Sequence, residues 1–143
     1  MTMSRVSLAI TLLAAGLLST AAQAEMKDFH AALNGAAEVP THSVPGTGKA
    51  TATLDTATKT LTYSITYDGL TGAATGAHFH GPALAGANAG VVVPFKTAAS
   101  PIHGSVVLTD PQIADLAAGK WYANVHTAAN PGGEIRGQIM SGK

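Results

Sequence analysis

The feature that most constrains the fold is a two-residue alternation of apolar and polar side chains. It is clearest in KTLTYSITY (residues 59–67), where every second residue from Leu61 to Tyr67 is apolar and the residues between them are Thr or Ser. Side chains two apart lie on the same face of a β-strand, so this segment predicts a strand with one face in the core. The preceding GKATATLD (residues 48–55) alternates in the same way, and a short polar connection joins the two into a predicted hairpin.

Six further segments are predicted as short strands: residues 27–33, 76–80, 91–95, 103–109, 121–126 and 134–140. Turns rich in Gly, Pro, Asn and Asp separate them. The one helical pattern begins at Thr109 as N-cap and ends at Gly119, with a buried stripe that comprises Ile113, Leu116 and Ala117. Eight short strands with one short helix predict an all-β fold, an antiparallel Greek-key β-sandwich or barrel.

The first 24 residues have the pattern of a cleaved signal peptide. Arg5 precedes an apolar run over residues 6–18, and Ala22-Gln23-Ala24 is a small-residue cleavage site. The run is shorter than the roughly 20 residues that a membrane span needs. We therefore expect cleavage after Ala24, no membrane span in the mature form, and a periplasmic or secreted single domain at residues 25–143.

The composition argues against several classes of function. Eight Lys and Arg residues balance eight Asp and Glu residues, and no basic stripe is interleaved with aromatic residues, so no nucleic acid partner is expected. The chain has no cysteine, so it is not a disulfide scaffold, and metal ligands would have to be imidazole nitrogens or oxygens. It has no nucleophile elbow, phosphate-binding glycine loop or HExxH motif, so covalent catalysis has no evident candidate.

Three of the six histidines lie on the polar faces of two predicted strands, and two of them end their strands. In AHFHGPA (residues 77–83), His78 and His80 share one face of the strand and Phe79 takes the other. His126 ends a later predicted strand, KWYANVHT, on its polar face. Two imidazoles at i and i+2, with a third from another strand, can converge on one ion with bonds of about 2.0 Å. Because imidazole suits both metals, the sequence predicts a three-histidine site for copper, with zinc as the alternative.

The sequence leaves the fourth ligand open. The candidates are His42, His103, Glu38 and water, although lone histidines are usually ordinary surface residues and a structural role is favoured for the glutamate. The alternative without a metal is a solvated sheet face on which the histidines form hydrogen bonds and Glu134 and Arg136 form an ordinary polar pair at i and i+2.

Two of these histidines are followed by loops with the same pattern. His80 precedes ANAG (residues 87–90), His126 precedes ANPG (residues 129–132), and a predicted strand follows each loop. The repeat is compatible with internal duplication and equally with two turns that independently favour Asn and Gly. In either case each loop follows a predicted strand that ends in a histidine. The segment over residues 81–90 is expected to cover the polar face.

The chain resembles the CHRD domain family, named from chordin and frequent in exported bacterial proteins. The resemblance rests on AHFHGPA, AGKWYANVHTAANPGGEIRGQI, LNGAAEVP and LTYSITYDGLTG, and it spans about residues 29–139. It implies a Greek-key β domain, sometimes proposed to bind ligands or metals, with the following residues at motif positions: His78, His80, His126, Glu134 and Arg136. A looser likeness to copper/zinc superoxide dismutase rests on the H-x-H strand and the predicted architecture, and it implies nothing about activity.

The function expected from the sequence is therefore binding of one copper ion, or zinc, by an exported protein that does not turn over a substrate. The main alternative is a structural or interaction module whose polar face contacts a protein or glycan partner, and it predicts no stoichiometric metal. A copper-dependent redox enzyme is the third hypothesis, which requires an open coordination position and solvent access.

Overall fold

The structure is a computed structural model that describes residues 23–142, so all but the last two residues of the predicted signal peptide at residues 1–24 lie outside the described residues. The strands are β1 (Met26–Asn34), β2 (Thr47–Asp55), β3 (Thr60–Asp68), β4 (Ala74–His80), β5 (Val91–Pro94), β6 (Ile102–Val107), β7 (Tyr122–Thr127), β8 (Ile135–Gln138) and β9 (Met140–Ser141). A 3-10 turn at Gly35–Ala37 follows β1, and helix α1 (Asp110–Ala117) precedes β7. All eight predicted strands are present, and the last is divided at Ile139 into β8 and β9.

The strands form one antiparallel sheet in the order β5-β4-β7-β8-β1-β2-β3-β6, with β9 paired to β1. Strands β1, β2 and β3 are consecutive hairpins in continuous register, with Met26 opposite Asp55 and Thr47 opposite Asp68. After β3 the chain crosses to β4, which pairs with β5 and β7. The sheet curls into a nearly closed barrel, which confirms the predicted antiparallel β architecture.

The alternation places the core inside the barrel. On β3, Leu61, Tyr63 and Ile65 are buried while the threonines between and after them face outward. Ring contacts of Phe79 with Tyr63 (5.2 Å between centroids) and with Phe95 (4.7 Å) continue the core from β3 to β4 and the end of β5. The barrel is open between its two edge strands, β5 and β6, and these aromatic residues fill the interior near that opening.

Helix α1 begins where the sequence predicts. The Thr109 hydroxyl accepts from the backbone N–H of Gln112, whose side chain accepts from the backbone N–H of Thr109, a complete capping box. Leu116 is fully buried, but Ala117 is exposed, so its assignment to the buried stripe was wrong. The helix is only two turns long, and Ala117 is rotated by about 100° from the residue that packs on the barrel.

Within residues 23–142, no helix has the length and apolar character to cross a membrane.

Candidate metal centre

Three imidazoles meet on the face of β4 and β7 that points away from the barrel core. His78 and His80 come from β4 and His126 from β7, and one nitrogen of each lies within 4.8 Å of the others. Nδ1 of His78 is 3.2 Å from Nε2 of His126, and the ring centroids of His78 and His80 are 5.5 Å apart. Across residues 23–142, no other group of three His, Asp or Glu side chains has this geometry. The structure therefore brings together the three histidines that the sequence singles out.

The strand register explains how one histidine of β7 reaches the two of β4. His126 lies opposite Gly76, and His78 lies opposite Asn124. Diagonal neighbours on a sheet are normally about 7–8 Å apart. Because Gly76 has no side chain, the two rings can lean together across it, and a Cβ there would lie 3.3 Å from Cε1 of His78.

Backbone carbonyls hold the outer nitrogens of two rings. Nδ1 of His80 is 3.0 Å from the carbonyl oxygen of Ala89, and Nδ1 of His126 is 3.0 Å from that of Pro131. A carbonyl oxygen only accepts, so Nδ1 of each ring carries the proton and donates it. In a neutral ring Nε2 then keeps its lone pair, which is the state that binds a metal.

Nε2 of His80 is a buried polar atom without a partner. His80 is 9% exposed, and within residues 23–142 its Nε2 is the one buried side-chain nitrogen or oxygen that forms no hydrogen bond. Folded proteins rarely leave such an atom unsatisfied, because a buried polar group without a partner destabilises the fold. This nitrogen is therefore suited to bind an ion or a water molecule at the centre of the histidine group.

The surroundings favour neutral imidazoles. Burial lowers the pKa of His78, and the neighbouring rings of His126 and His80 lower that pKa further. Burial also lowers the pKa of His80, with the Ala89 carbonyl opposing this effect and His126 and Arg136 adding to it. Since protons compete with metal ions for imidazole, lowered pKa values keep these two ligands available at neutral pH.

Buried polar residues support the histidines from the side of β8. The Tyr122 ring stacks on the His80 ring with 4.9 Å between centroids, and the guanidinium carbon of Arg136 lies 4.0 Å from the Tyr122 centroid. Arg136 is 4% exposed, and its Nε donates to Glu38 at 3.1 Å. Asn124 also donates to Glu38. Burial raises the pKa of the Glu38 carboxyl, although Arg136 and Asn124 act in the opposite direction.

The alternative of a solvated face with a Glu134–Arg136 polar pair was wrong in its pairing and its exposure. Arg136 pairs with Glu38, and Glu134 is 0% exposed. The Glu134 carboxylate accepts four hydrogen bonds, from the backbone and hydroxyl of Thr71, the hydroxyl of Thr127 and the amide of Asn130. Burial raises the pKa of Glu134, but these bonds outweigh it and lower the pKa overall. Glu134 lies just before β8 and finds its partners in Thr71, Thr127 and Asn130, whereas Arg136 finds its own in Glu38 and the loop over residues 81–90.

The other candidate ligands lie outside the three-histidine group. His103 is exposed on β6, and His42 is half-buried in the loop that follows the 3-10 turn. Glu38 is occupied by Arg136 and Asn124, which fits the structural role favoured for it. His42, His103 and Glu38 thus do not join the group, and water remains as the other candidate for the fourth ligand.

Sequence reasoning missed the contribution of Ala89 and Pro131. Both act through backbone carbonyls, so neither side chain carries a chemical signal. The available signal was the A-N-x-G pattern, because in each loop the accepting carbonyl belongs to the residue after Asn.

The predicted cover over residues 81–90 is confirmed, since the carbonyls of Ala87 and Ala89 bond to Arg136 and His80.

Comparison with protein families agrees with the resemblance seen in the sequence. The family model described as the CHRD domain matches residues 29–139, a span that contains the three histidines and both A-N-x-G loops. No curated protein and no solved structure matches the chain.

Proposed function

The chain belongs to the CHRD domain family, and we propose that it binds one divalent transition-metal ion through His78, His80 and His126. Copper is the preferred ion and zinc the alternative, because imidazole suits both and copper(II) binds most tightly among divalent first-row ions. The observation that carries the proposal is the buried Nε2 of His80, which has no partner and lies beside two further imidazoles. An ion bound there would satisfy this atom.

The ligand atoms we assign are Nε2 of His80, Nε2 of His126 and Nδ1 of His78. The first two carry no proton in a neutral ring, because Nδ1 of each ring donates to the carbonyl of Ala89 or Pro131. The third is 3.2 Å from Nε2 of His126. Two nitrogens bound to one ion at about 2.0 Å with a tetrahedral angle lie about 3.3 Å apart, so this pair already has the required separation.

The proposed role is to hold or buffer the ion outside the cytoplasm. The pattern that ends in Ala22-Gln23-Ala24 predicts export, and a site without thiolates has no ligand that an oxidising compartment would convert to a disulfide. Mass spectrometry of the protein from periplasm and medium should find Glu25 at the N-terminus. Intact full-length chain in the cytoplasm alone would contradict this role.

Titration of the purified, untagged protein with Cu(II) tests the metal site, with visible absorption and calorimetry as readouts. We expect one ion per chain and a loss of affinity of at least about 100-fold in the His78→Ala/His80→Ala variant, which lacks two of the three ligands. The matched control is His30→Ala/His103→Ala, which removes two exposed histidines outside the group and should bind like the parent. Unchanged affinity in the first variant would overturn the assignment, and a parallel Zn(II) titration decides between the metals.

A further inference from the structure

The two A-N-x-G loops make the same contact with the candidate centre. ANAG (residues 87–90) presents the Ala89 carbonyl to Nδ1 of His80, and ANPG (residues 129–132) presents the Pro131 carbonyl to Nδ1 of His126. Both distances are 3.0 Å. The repeat therefore has one structural use in both places: it fixes which ring nitrogen carries the proton.

The first loop is attached to the barrel through Arg136. Nη2 of Arg136 donates to Oδ1 of Asn88 at 2.7 Å, and Nη1 donates to the Ala87 carbonyl at 3.1 Å. Because Nε is bonded to Glu38, the guanidinium joins the buried carboxylate to the loop. The Tyr122 hydroxyl adds a second attachment, 3.1 Å from the N–H and 3.2 Å from the carbonyl of Ala89.

The second loop is attached through Glu134. Nδ2 of Asn130 donates to this carboxylate at 3.2 Å, and the backbone N–H of Asn130 donates to the Thr127 hydroxyl at 3.2 Å. The same hydroxyl donates to Glu134 at 2.5 Å. Glu134 and Arg136 are two residues apart and both buried, so one short segment of the chain anchors both loops.

We propose that Asn88 and Asn130 are positioning residues of the centre, anchored by Arg136 and Glu134 respectively. By holding the two loops, they keep the proton on Nδ1 of His80 and His126 and keep both Nε2 atoms unprotonated before an ion arrives; Nε2 of His126 meanwhile accepts from Nδ1 of His78. Ligands that are already ordered bind more tightly, because less conformational entropy is lost on binding. The purpose of this arrangement rests on the proposed metal function, whereas the tautomers themselves belong to the metal-free protein.

The test is the tautomer of each histidine in the metal-free protein. Long-range ¹H–¹⁵N spectra at about pH 8, where imidazole is neutral, should show His80 and His126 in the Nδ1–H form. In Asn88→Ala, His80 should shift toward the Nε2–H form while His126 keeps its signal, and Asn130→Ala should do the reverse. Each variant is thus the control for the other, and a merely structural role for either Asn would not move the tautomer of one selected ring.

Substitution by Asp separates the two anchors further. Asn88 accepts from Arg136 through Oδ1 and donates through Nδ2 to the Val39 carbonyl at 3.2 Å. Asn88→Asp loses the exposed bond to Val39 but keeps the bond to Arg136 that anchors the loop, so it should retain the parent tautomer. Asn130 uses its nitrogen to donate to Glu134, so Asn130→Asp should behave like Asn130→Ala or worse. Cu(II) affinity should fall about 10- to 100-fold in both Ala variants and in Asn130→Asp, but not in Asn88→Asp.

The outcomes distinguish this inference from the proposed function. A parent protein with His80 or His126 in the Nε2–H form would overturn the inference, and so would Ala variants with unchanged tautomers. If the tautomers respond as expected but the parent binds neither Cu(II) nor Zn(II), the positioning of the two rings is upheld and the metal function is overturned.

Discussion

Gly133 shows how closely the residues around the Glu38 carboxylate approach one another. Its backbone has a φ of +126°, which residues with a side chain rarely adopt. A Cβ at this position would lie 2.5 Å from Nδ2 of Asn124 and 2.6 Å from Oε1 of Glu38. Glycine is thus required twice, by the backbone conformation and by the hydrogen bond between Asn124 and Glu38.

We expect Gly133→Ala to lower the free energy of unfolding by roughly 2–4 kcal/mol, through backbone strain and the displaced Asn124–Glu38 contact. Urea denaturation measures this change. Gly132→Ala is the matched control, since a Cβ at Gly132 meets nothing within 4 Å, and it should unfold like the parent. Equal urea midpoints for the two variants would contradict the requirement for glycine at position 133.

At the scale of elements, the pairing of β4 is irregular on both sides of the site. Its register against β7 shifts between Ala74 and Gly76, and its register against β5 shifts between Phe79 and His80. Such irregularities change the local twist and the direction of side chains. His78 lies between the two shifts and His80 lies at the second. Their ring planes are 85° apart, an arrangement that a flat strand does not impose on residues i and i+2.

Helix α1 contributes no residue to the three-histidine group. A variant of the helix therefore tests whether the stability of the fold and metal binding can be changed separately. Thr109→Ala removes the capping box and should lower the free energy of unfolding by about 1 kcal/mol. Cu(II) affinity should stay unchanged, because the helix contributes no atom to the three-histidine group. Thermal unfolding and Cu(II) titration of the same samples measure both quantities, and Ser105→Ala on exposed β6 is the control. A loss of affinity in Thr109→Ala would mean that the helix acts on the site.

Within residues 23–142, few charged side chains are buried. The ion pairs Lys27–Glu25 and Lys59–Asp110 are solvent-exposed, and such pairs contribute little to stability. The buried carboxylates are Glu38 and Glu134, and both join covering loops to the barrel. Acid should therefore act on the fold mainly through buried groups.

The pH dependence of Glu134→Gln tests this view. Hydrogen bonds hold the folded pKa of Glu134 below its ordinary value of 4.5, so its stabilisation is present above that value and is lost as pH falls through the folded pKa. The difference in unfolding free energy between parent and variant should be largest near neutral pH, roughly 2–3 kcal/mol, and should shrink below about pH 4.5. Urea titrations from about pH 7 to about pH 3 measure it, with the exposed Asp110→Asn as control. A difference that is constant with pH would contradict the assignment.

The sequence by itself determined the strands, the helix start and the inward face of the barrel. These features depend on the local spacing of apolar and polar side chains, as in the alternation over residues 59–67. The same period put His78 and His80 on one face, and the position of His126 at a strand end suggested the third member of the group.

Only the tertiary structure decided which polar groups meet. Arg136 pairs with Glu38, 98 residues away, and Glu134 accepts from the backbone of Thr71, 63 residues away. These contacts depend on the placement of β4, β7 and β8 side by side and on loops that fold over them. The partner of a polar side chain on a strand face depends on which residues the fold places beside it. Local periodicity carries no information about partners so distant along the chain.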